Sequence, residues 1–301
     1  MMAACSLAVG ATLMAGAAGA SPYSTINAAA AADPITIQKL RGGMAMLSGS
    51  GGNISVLAGA DGLLLVDAGI AVSRAKIENA LRSVGKGPVR YVVNTHWHWD
   101  HTDGNGWLRQ SGATILADRK VRRRLGETIR VVEWEHTFTP IAPRDLPNQI
   151  LTADKLLKFG GETISIRHYR PGHTDGDMSV YFRQADVLAT GDTFWNGMYP
   201  FIDYVGGGSI DGAIRAANAN IVATGPHTQI VPGHGPLGNR TQLIAFRDML
   251  VTVRNKVAAL KARGKSADQV VAARPTAALD PQWGQALISG ELFTRLVYRG
   301  V

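Results

Sequence analysis

Cysteine is nearly missing from this chain: Cys5 is the one such residue among 301. Disulfides therefore do not hold the fold, and the body of the chain has neither a thiolate metal site nor a cysteine nucleophile. Charge is missing in one place, because the first 32 residues contain no Asp, Glu, Lys or Arg. Within them "CSLAVGATLMAGAAGA", residues 5–20, is apolar and small but too short to span a membrane. Ala18-Gly19-Ala20 there fits a cleavage pattern before Ser21. Residues 1–32 thus read as a signal peptide or disordered leader, and residues 33–301 as a single domain of an exported, periplasmic or secreted protein. The basic n-region is missing too, which keeps a cytoplasmic protein with an Ala-rich tail as the alternative. Met2-Ala3-Ala4-Cys5 would be a lipobox if translation started elsewhere.

Low-complexity linkers are also missing after residue 35, and 46% of the chain is hydrophobic, enough to bury a full α/β core. The net charge of +8 is partly local: "DRKVRRRLGE", residues 118–127, carries five basic side chains on an expected helix. No nucleic-acid module accompanies that run and no stacking aromatics interleave with it, so it reads as a solvated helical face. A small-molecule substrate is expected rather than nucleic acid, with no transmembrane segment in the mature chain.

What is present is concentrated. "THWHWDHTDGN", residues 95–105, crowds His96, His98, Asp100 and His101 into six positions, directly after the β-branched run "VRYVVN". That run reads as a buried strand. Side chains two apart in extended chain point the same way, so His96 and His98 can converge on one ion. Asp100 and His101, beyond the turn, can face a second point. Asp103 is the expected N-cap of the helix that follows. The same pattern of apolar strand, turn and ligand recurs: His173 in "RPGHTDGDMSVYF", Asp192 closing "DVLATGD", and His234 closing "TQIVPGH". Ligands at strand ends along one sheet edge can meet there. His136, His168 and His227 lack that setting.

His96-x-His98-x-Asp100-His101, with His173, Asp192 and His234 in that order, resembles the metallo-β-lactamase-fold hydrolase superfamily. The resemblance implies an α/β fold, an αββα four-layer sandwich of two mixed sheets flanked by helices. It implies that His96, His98 and His173 hold one metal, that Asp100, His101 and His234 hold the other, and that Asp192 bridges them. It further implies that Asp67, closing "GLLLVDAG", supports the site from behind. Nitrogen and carboxylate donors suit zinc, and also iron or manganese. Two divalent ions about 3.5–4 Å apart with a hydroxide between them would attack an ester, thioester, lactone or amide carbonyl, and Asp100 would orient the attacking oxygen. Classical β-lactamases of the family carry cysteine or serine where Asp192 stands here, which favours the broader hydrolases. Export and compact length keep β-lactamase as an alternative. Persulfide dioxygenases share the ligand pattern and use iron, and a non-catalytic metal-containing binding protein is a third possibility.

The flanking elements read more plainly. "ITIQKL", "GGMAMLSG", "NISVLAG" and "GLLLVDAG" form a β-meander. Ser73 is the expected cap of a helix over Arg74 to Val84, and Thr241 to Arg263 has helical periodicity. Two segments look built for substrate. Residues 131–150 are irregular, aromatic and Pro-rich, and residues 194–209, "FWNGMYPFIDYVGGGS", place Trp195, Tyr199 and Tyr204 just after Asp192. A hydrogen-bonding phenol at the reacting carbonyl would come from Tyr199 or Tyr204.

Overall fold

The computed structural model describes residues 20–301 of the chain. Helix α1 (Pro22–Ala32) leads into four antiparallel strands, β1 (Thr36–Lys39), β2 (Met44–Ser48), β3 (Ile54–Gly59) and β4 (Gly62–Val66). Helix α2 (Arg74–Val84) returns the chain to β5 (Val89–Val93). Short helices α3 (Trp99–Thr102) and α4 (Asn105–Gln110) return it to β6 (Thr114–Asp118). Helix α5 (Arg119–Leu125) and the hairpin β7 (Ile129–Val131) and β8 (His136–Phe138) precede β9 (Gln149–Leu151). This first sheet runs β1-β2-β3-β4-β5-β6-β9 and turns parallel from β4 onward.

The second sheet runs β10 (Lys155–Phe159), β11 (Glu162–His168), β12 (Met178–Phe182), β13 (Val187–Ala189) and β14 (Gln229–Val231). Only its β13–β14 pair is parallel, joined by helix α6 (Ile210–Ala223). Helices α7 (Arg240–Ala262), α8 (Ala267–Ala272), α9 (Asp280–Trp283) and α10 (Gly290–Arg299) complete the chain.

The continuous apolar run of β4 has a simple cause. Leu64 and Val66 face the second sheet, where they pack with Ile164, Val180 and Phe182, while Leu63 and Leu65 face Ile77 and Leu81 of α2. A strand covered on both sides has no polar face to alternate with. On the outer side of the second sheet, Ile230 packs with Ala213 and Ala217 of α6 and with Leu243, Phe246 and Leu250 of α7. The layers are therefore helix, sheet, sheet, helix, as expected, and both sheets are mixed.

Several expectations need correcting. Residues 22–32 are not disordered: they form α1, capped by Ser21 and docked on the body, so the folded unit includes residues before 33. Ser73 Oγ and Lys76 Nζ each donate to the Ala30 carbonyl at 2.7 Å, and Tyr23 stacks on His136 with ring centroids 3.5 Å apart. Ser73 is thereby diverted from capping α2, in which no side-chain cap forms. Asp103 accepts from Ala71 N across the loop at 2.8 Å instead of capping α4. Cys5, Ala18 and Gly19 lie outside the described residues. Basic side chains of α5 are engaged within the protein: Arg124 makes a two-pronged pair with Asp175 at 2.9 and 2.7 Å, and Lys120 Nζ donates to the Asp175 carbonyl. Among the described residues no helix is long and apolar enough to cross a membrane.

Candidate dinuclear metal centre

Every candidate ligand lies in a connecting segment at a strand end along one edge of the sandwich. His96, His98, Asp100 and His101 follow the end of β5, Asp192 follows β13 and His234 follows β14. His173 precedes β12, whose start lies beside the end of β13 because the two strands are antiparallel. The seven side chains form two adjoining groups, His96, His98, His173 and Asp192 in one, and Asp100, His101 and His234 in the other. Asp192 faces both. Its Oδ2 lies 3.3 Å from His173 Nε2 and 3.7 Å from His96 Nε2, and its Oδ1 lies 3.1 Å from His101 Nε2 and 3.5 Å from His234 Nε2. Asp100 Oδ2 lies 3.3 Å from His234 Nε2 and 3.6 Å from His101 Nε2.

Four of the histidines are oriented from behind. His96 Nδ1 meets Thr95 Oγ1 at 3.0 Å, and that hydroxyl in turn donates to Asp67. His101 Nδ1 lies 2.9 Å from Asp67 Oδ2, and His173 Nδ1 lies 2.9 Å from the Phe201 carbonyl. His98 is turned the other way: its Nε2 lies 3.0 Å from Asp203 Oδ2, so Nδ1 points inward, 3.0 Å from His173 Nε2. An outer N–H donating to an acceptor fixes the tautomer and leaves the inner nitrogen a lone pair, which is how ligating histidines are held.

The donor set fits cations on a second count. His96 Nε2 and Asp192 Oδ1 are buried and find no hydrogen-bond partner among the described residues, an arrangement that is costly unless an ion completes it. Burial and the charge of His101 push His96 well below the ordinary imidazole range, and burial pushes His173 down to about 4, so both are neutral donors. Burial would raise Asp192, but the surrounding histidines outweigh it and hold the carboxyl well below its usual range. His234 is raised to about 9: burial opposes its charge, and the carboxylates of Asp192 and Asp100 prevail.

Beside the centre lies a cavity of about 270 Å³ reached by His98, Asp100, Asp192 and His234. Of the three expected substrate residues, Trp195 lines it, with its ring 4.2 Å from that of His234. Tyr199 and Tyr204 do not. Tyr199 is fully buried, stacks on Phe293 at 4.6 Å and directs its hydroxyl to Asp280 Oδ1 at 3.1 Å, joining the 194–209 segment to the C-terminal helices. Tyr204 sits under the Arg299 guanidinium, 5.1 Å from the ring centre. Met198 and Phe201 take the cavity positions in that segment, and Trp134 comes from the 131–150 stretch. Asp203 had one weak sequence signal, a lone carboxylate in an aromatic run before three glycines. Nothing in the sequence marks the contributions of α1 or Leu287 to the cavity.

The fold is that of the metallo-β-lactamases. A metallo-beta-lactamase from Pontibacter korlensis superposes with a TM-score of 0.59 at 17% identity, covering 72% of this chain and 99% of that one. Residues 47–234, more than half of the chain, match the metallo-beta-lactamase superfamily, and the protein belongs to it. It is a hydrolase of that superfamily with a His/Asp metal-binding cluster. A probable metallo-hydrolase of Bacillus subtilis, YqgX, is 25% identical over 54% of this chain and 75% of its own length. The acyl-coenzyme A thioesterase MBLAC2 of Gallus gallus is 23% identical over 62% of this chain and 73% of its own.

Proposed function

We propose that the protein hydrolyses a carbonyl bond of the ester, thioester, lactone or amide type in a small molecule, using two divalent ions, zinc by preference. The observation that carries this reading is Asp192, whose two oxygens face two separate groups of histidines. Ions held there supply a water-derived nucleophile near neutral pH and an electrophile for the carbonyl oxygen. The residues do the rest. Asp100 lines the cavity and stands at its boundary with the second histidine group, placed to hold an ion and to orient the attacking oxygen while holding its proton. Asp67, Thr95 and Asp203 keep the rings from turning. In the overall step water's oxygen bonds to the carbonyl carbon and the bond to the leaving group breaks. One water proton passes to the departing heteroatom, and the acid formed releases another at neutral pH.

The same donors accept iron, so metal analysis belongs with the assay. The test is turnover of ester, thioester and lactone panels by the zinc-loaded full chain beside Asp100→Ala. Esterase activity that falls by about 10³-fold or more in the variant supports the reading. Purified protein that carries iron and consumes oxygen with a persulfide, while leaving every carbonyl substrate intact, would overturn it.

A further inference from the structure

The described side chains that line the cavity beside the metal centre include none able to receive an anion outside the centre itself. Among the described residues that line it there is no lysine, arginine, hydroxyl or amide side chain, and its carboxylates are Asp33, Asp100 and Asp192. Its walls are aromatic. Trp99 and Trp134 meet at 5.6 Å, Trp134 and Phe201 at 4.8 Å, and Trp195 closes the side next to His234. The indole N–H groups of Trp99, Trp134 and Trp195 are all buried within the protein, so the surface these rings give the cavity is carbon. Ile26 and Ala29 of α1 and Leu287 from the loop before α10 add apolar lining. The volume lies just under the roughly 300–1,000 Å³ typical of small-molecule sites, so the group it takes is compact.

From this we infer the substrate class: an uncharged ester or lactone whose compact hydrocarbon acyl group fills the aromatic cavity while its carbonyl meets the metal centre. The inference rests on the hydrolase reading and narrows it. An anion placed in this cavity away from the ions would lose its hydration and gain no partner, which is costly for a carboxylate or phosphate. A hydrocarbon group loses only its contact with water.

The test has two arms on the zinc-loaded full chain. In the first, p-nitrophenyl hexanoate is compared with the mono-p-nitrophenyl ester of adipic acid, which has the same chain length and a terminal carboxylate. The expected kcat/KM ratio is at least roughly 100-fold in favour of hexanoate. Met198→Arg, which sets a cation in the wall, should bring the ratio below about tenfold. Ala29→Arg, on an exposed position of α1, should do the same where Met198→Arg does not fold. In the second arm, heptan-2-one, an uncharged ketone that cannot be hydrolysed, is titrated against tryptophan fluorescence. Saturable quenching is expected, weakened about tenfold or more in the arginine variant. Equal turnover of the two esters, or no saturable quenching, overturns the inference. Saturable ketone binding without turnover of any ester keeps the apolar site and removes the ester-hydrolysis reading instead.

Discussion

Asp203 accepts from His98 Nε2 at 3.0 Å and, through the same carboxylate oxygen, from the Trp97 indole at 2.9 Å. Its other oxygen takes the Gly206 amide at 2.6 Å. One buried carboxylate therefore determines that His98 presents Nδ1 to the centre while its neighbours present Nε2. Burial would raise its carboxyl, but the hydrogen bonds it accepts from His98 and Gly206 help hold it below its usual range.

Asp203→Ala should free the His98 ring and weaken zinc at the His96, His98 and His173 group by about 10- to 100-fold, the usual effect of removing such support. Competition with a chromogenic chelator reads this directly. Asp203→Asn still offers an oxygen to His98 and should lose less. Equal zinc affinity in wild type and Asp203→Ala would show that the ring is held by packing alone.

The two oxygens of Asp192 reach both histidine groups, so shortening this side chain should separate the two ions in affinity. Asp192→Ser is expected to retain one zinc at His96, His98 and His173 and to lose the second. Metal content after dialysis should fall from two per chain to one, with turnover reduced by about 10²-fold or more. Retention of two ions would mean that Asp100, His101 and His234 suffice without the shared carboxylate.

Much of this centre was legible in the sequence because its ligands follow strand ends, and strand ends are marked by apolar runs meeting Gly, Pro and Asp. The seven metal-capable residues converge for that reason. The substrate side was less legible. In "NGMYPF" nothing local distinguishes Met198 and Phe201, which line the cavity, from Tyr199, which is drawn away by Asp280 and Phe293, residues about 80 and 90 positions later. Helix α1 is not marked in the sequence, because a charge-free, Ala-rich stretch resembles a leader. Its order comes from distant partners, Ser73, Lys76 and His136, that composition does not show.

Gly52 presses on the second histidine group. A Cβ built there would lie 2.2 Å from His101 Cε1, and the His101 ring is held by Asp67 on its other side. Gly52→Ala should displace that ring, destabilise the protein by about 1–3 kcal/mol and lower turnover by about 10²-fold. Gly225→Ala, where a Cβ meets only Thr228 Oγ1 at 3.8 Å, is the control and should change neither. Thermal unfolding and zinc stoichiometry measured together separate a moved ligand from a merely weakened fold.

Metal removal should be visible in stability. The centre gathers buried carboxylates and imidazoles from four strand ends, and an ion that binds only the folded chain stabilises it by mass action. At free zinc about 1,000 times the dissociation constant the gain is about 4 kcal/mol, which for a chain of this length corresponds to about 7 °C in Tm. Differential scanning calorimetry with and without a chelator measures it. An unchanged Tm across saturating zinc would mean that zinc does not bind the folded chain in preference to the unfolded one.

Lys76 fastens α1 over the cavity. Its ammonium donates to the Ala30 carbonyl at 2.7 Å, the Ala31 carbonyl at 3.0 Å and the Asp33 carbonyl at 2.5 Å, satisfying carbonyls at the end of a helix with a charge of favourable sign. Lys76→Met keeps the length of the side chain and removes those three bonds. Each bond to a charged group contributes on the order of 1.5–3 kcal/mol, and part of that stabilisation holds Ile26 and Ala29 against the substrate. The variant should raise KM for a hydrophobic ester by about tenfold and leave kcat within about twofold, because Asp100 and the ligands do not touch α1's anchor. Should kcat fall as KM stays constant, α1 would be acting on the metal centre rather than on the walls of the cavity. Proteolysis of the N-terminal segment in the presence and absence of heptan-2-one gives the independent check, with ligand slowing cleavage in the wild type and doing so less in Lys76→Met.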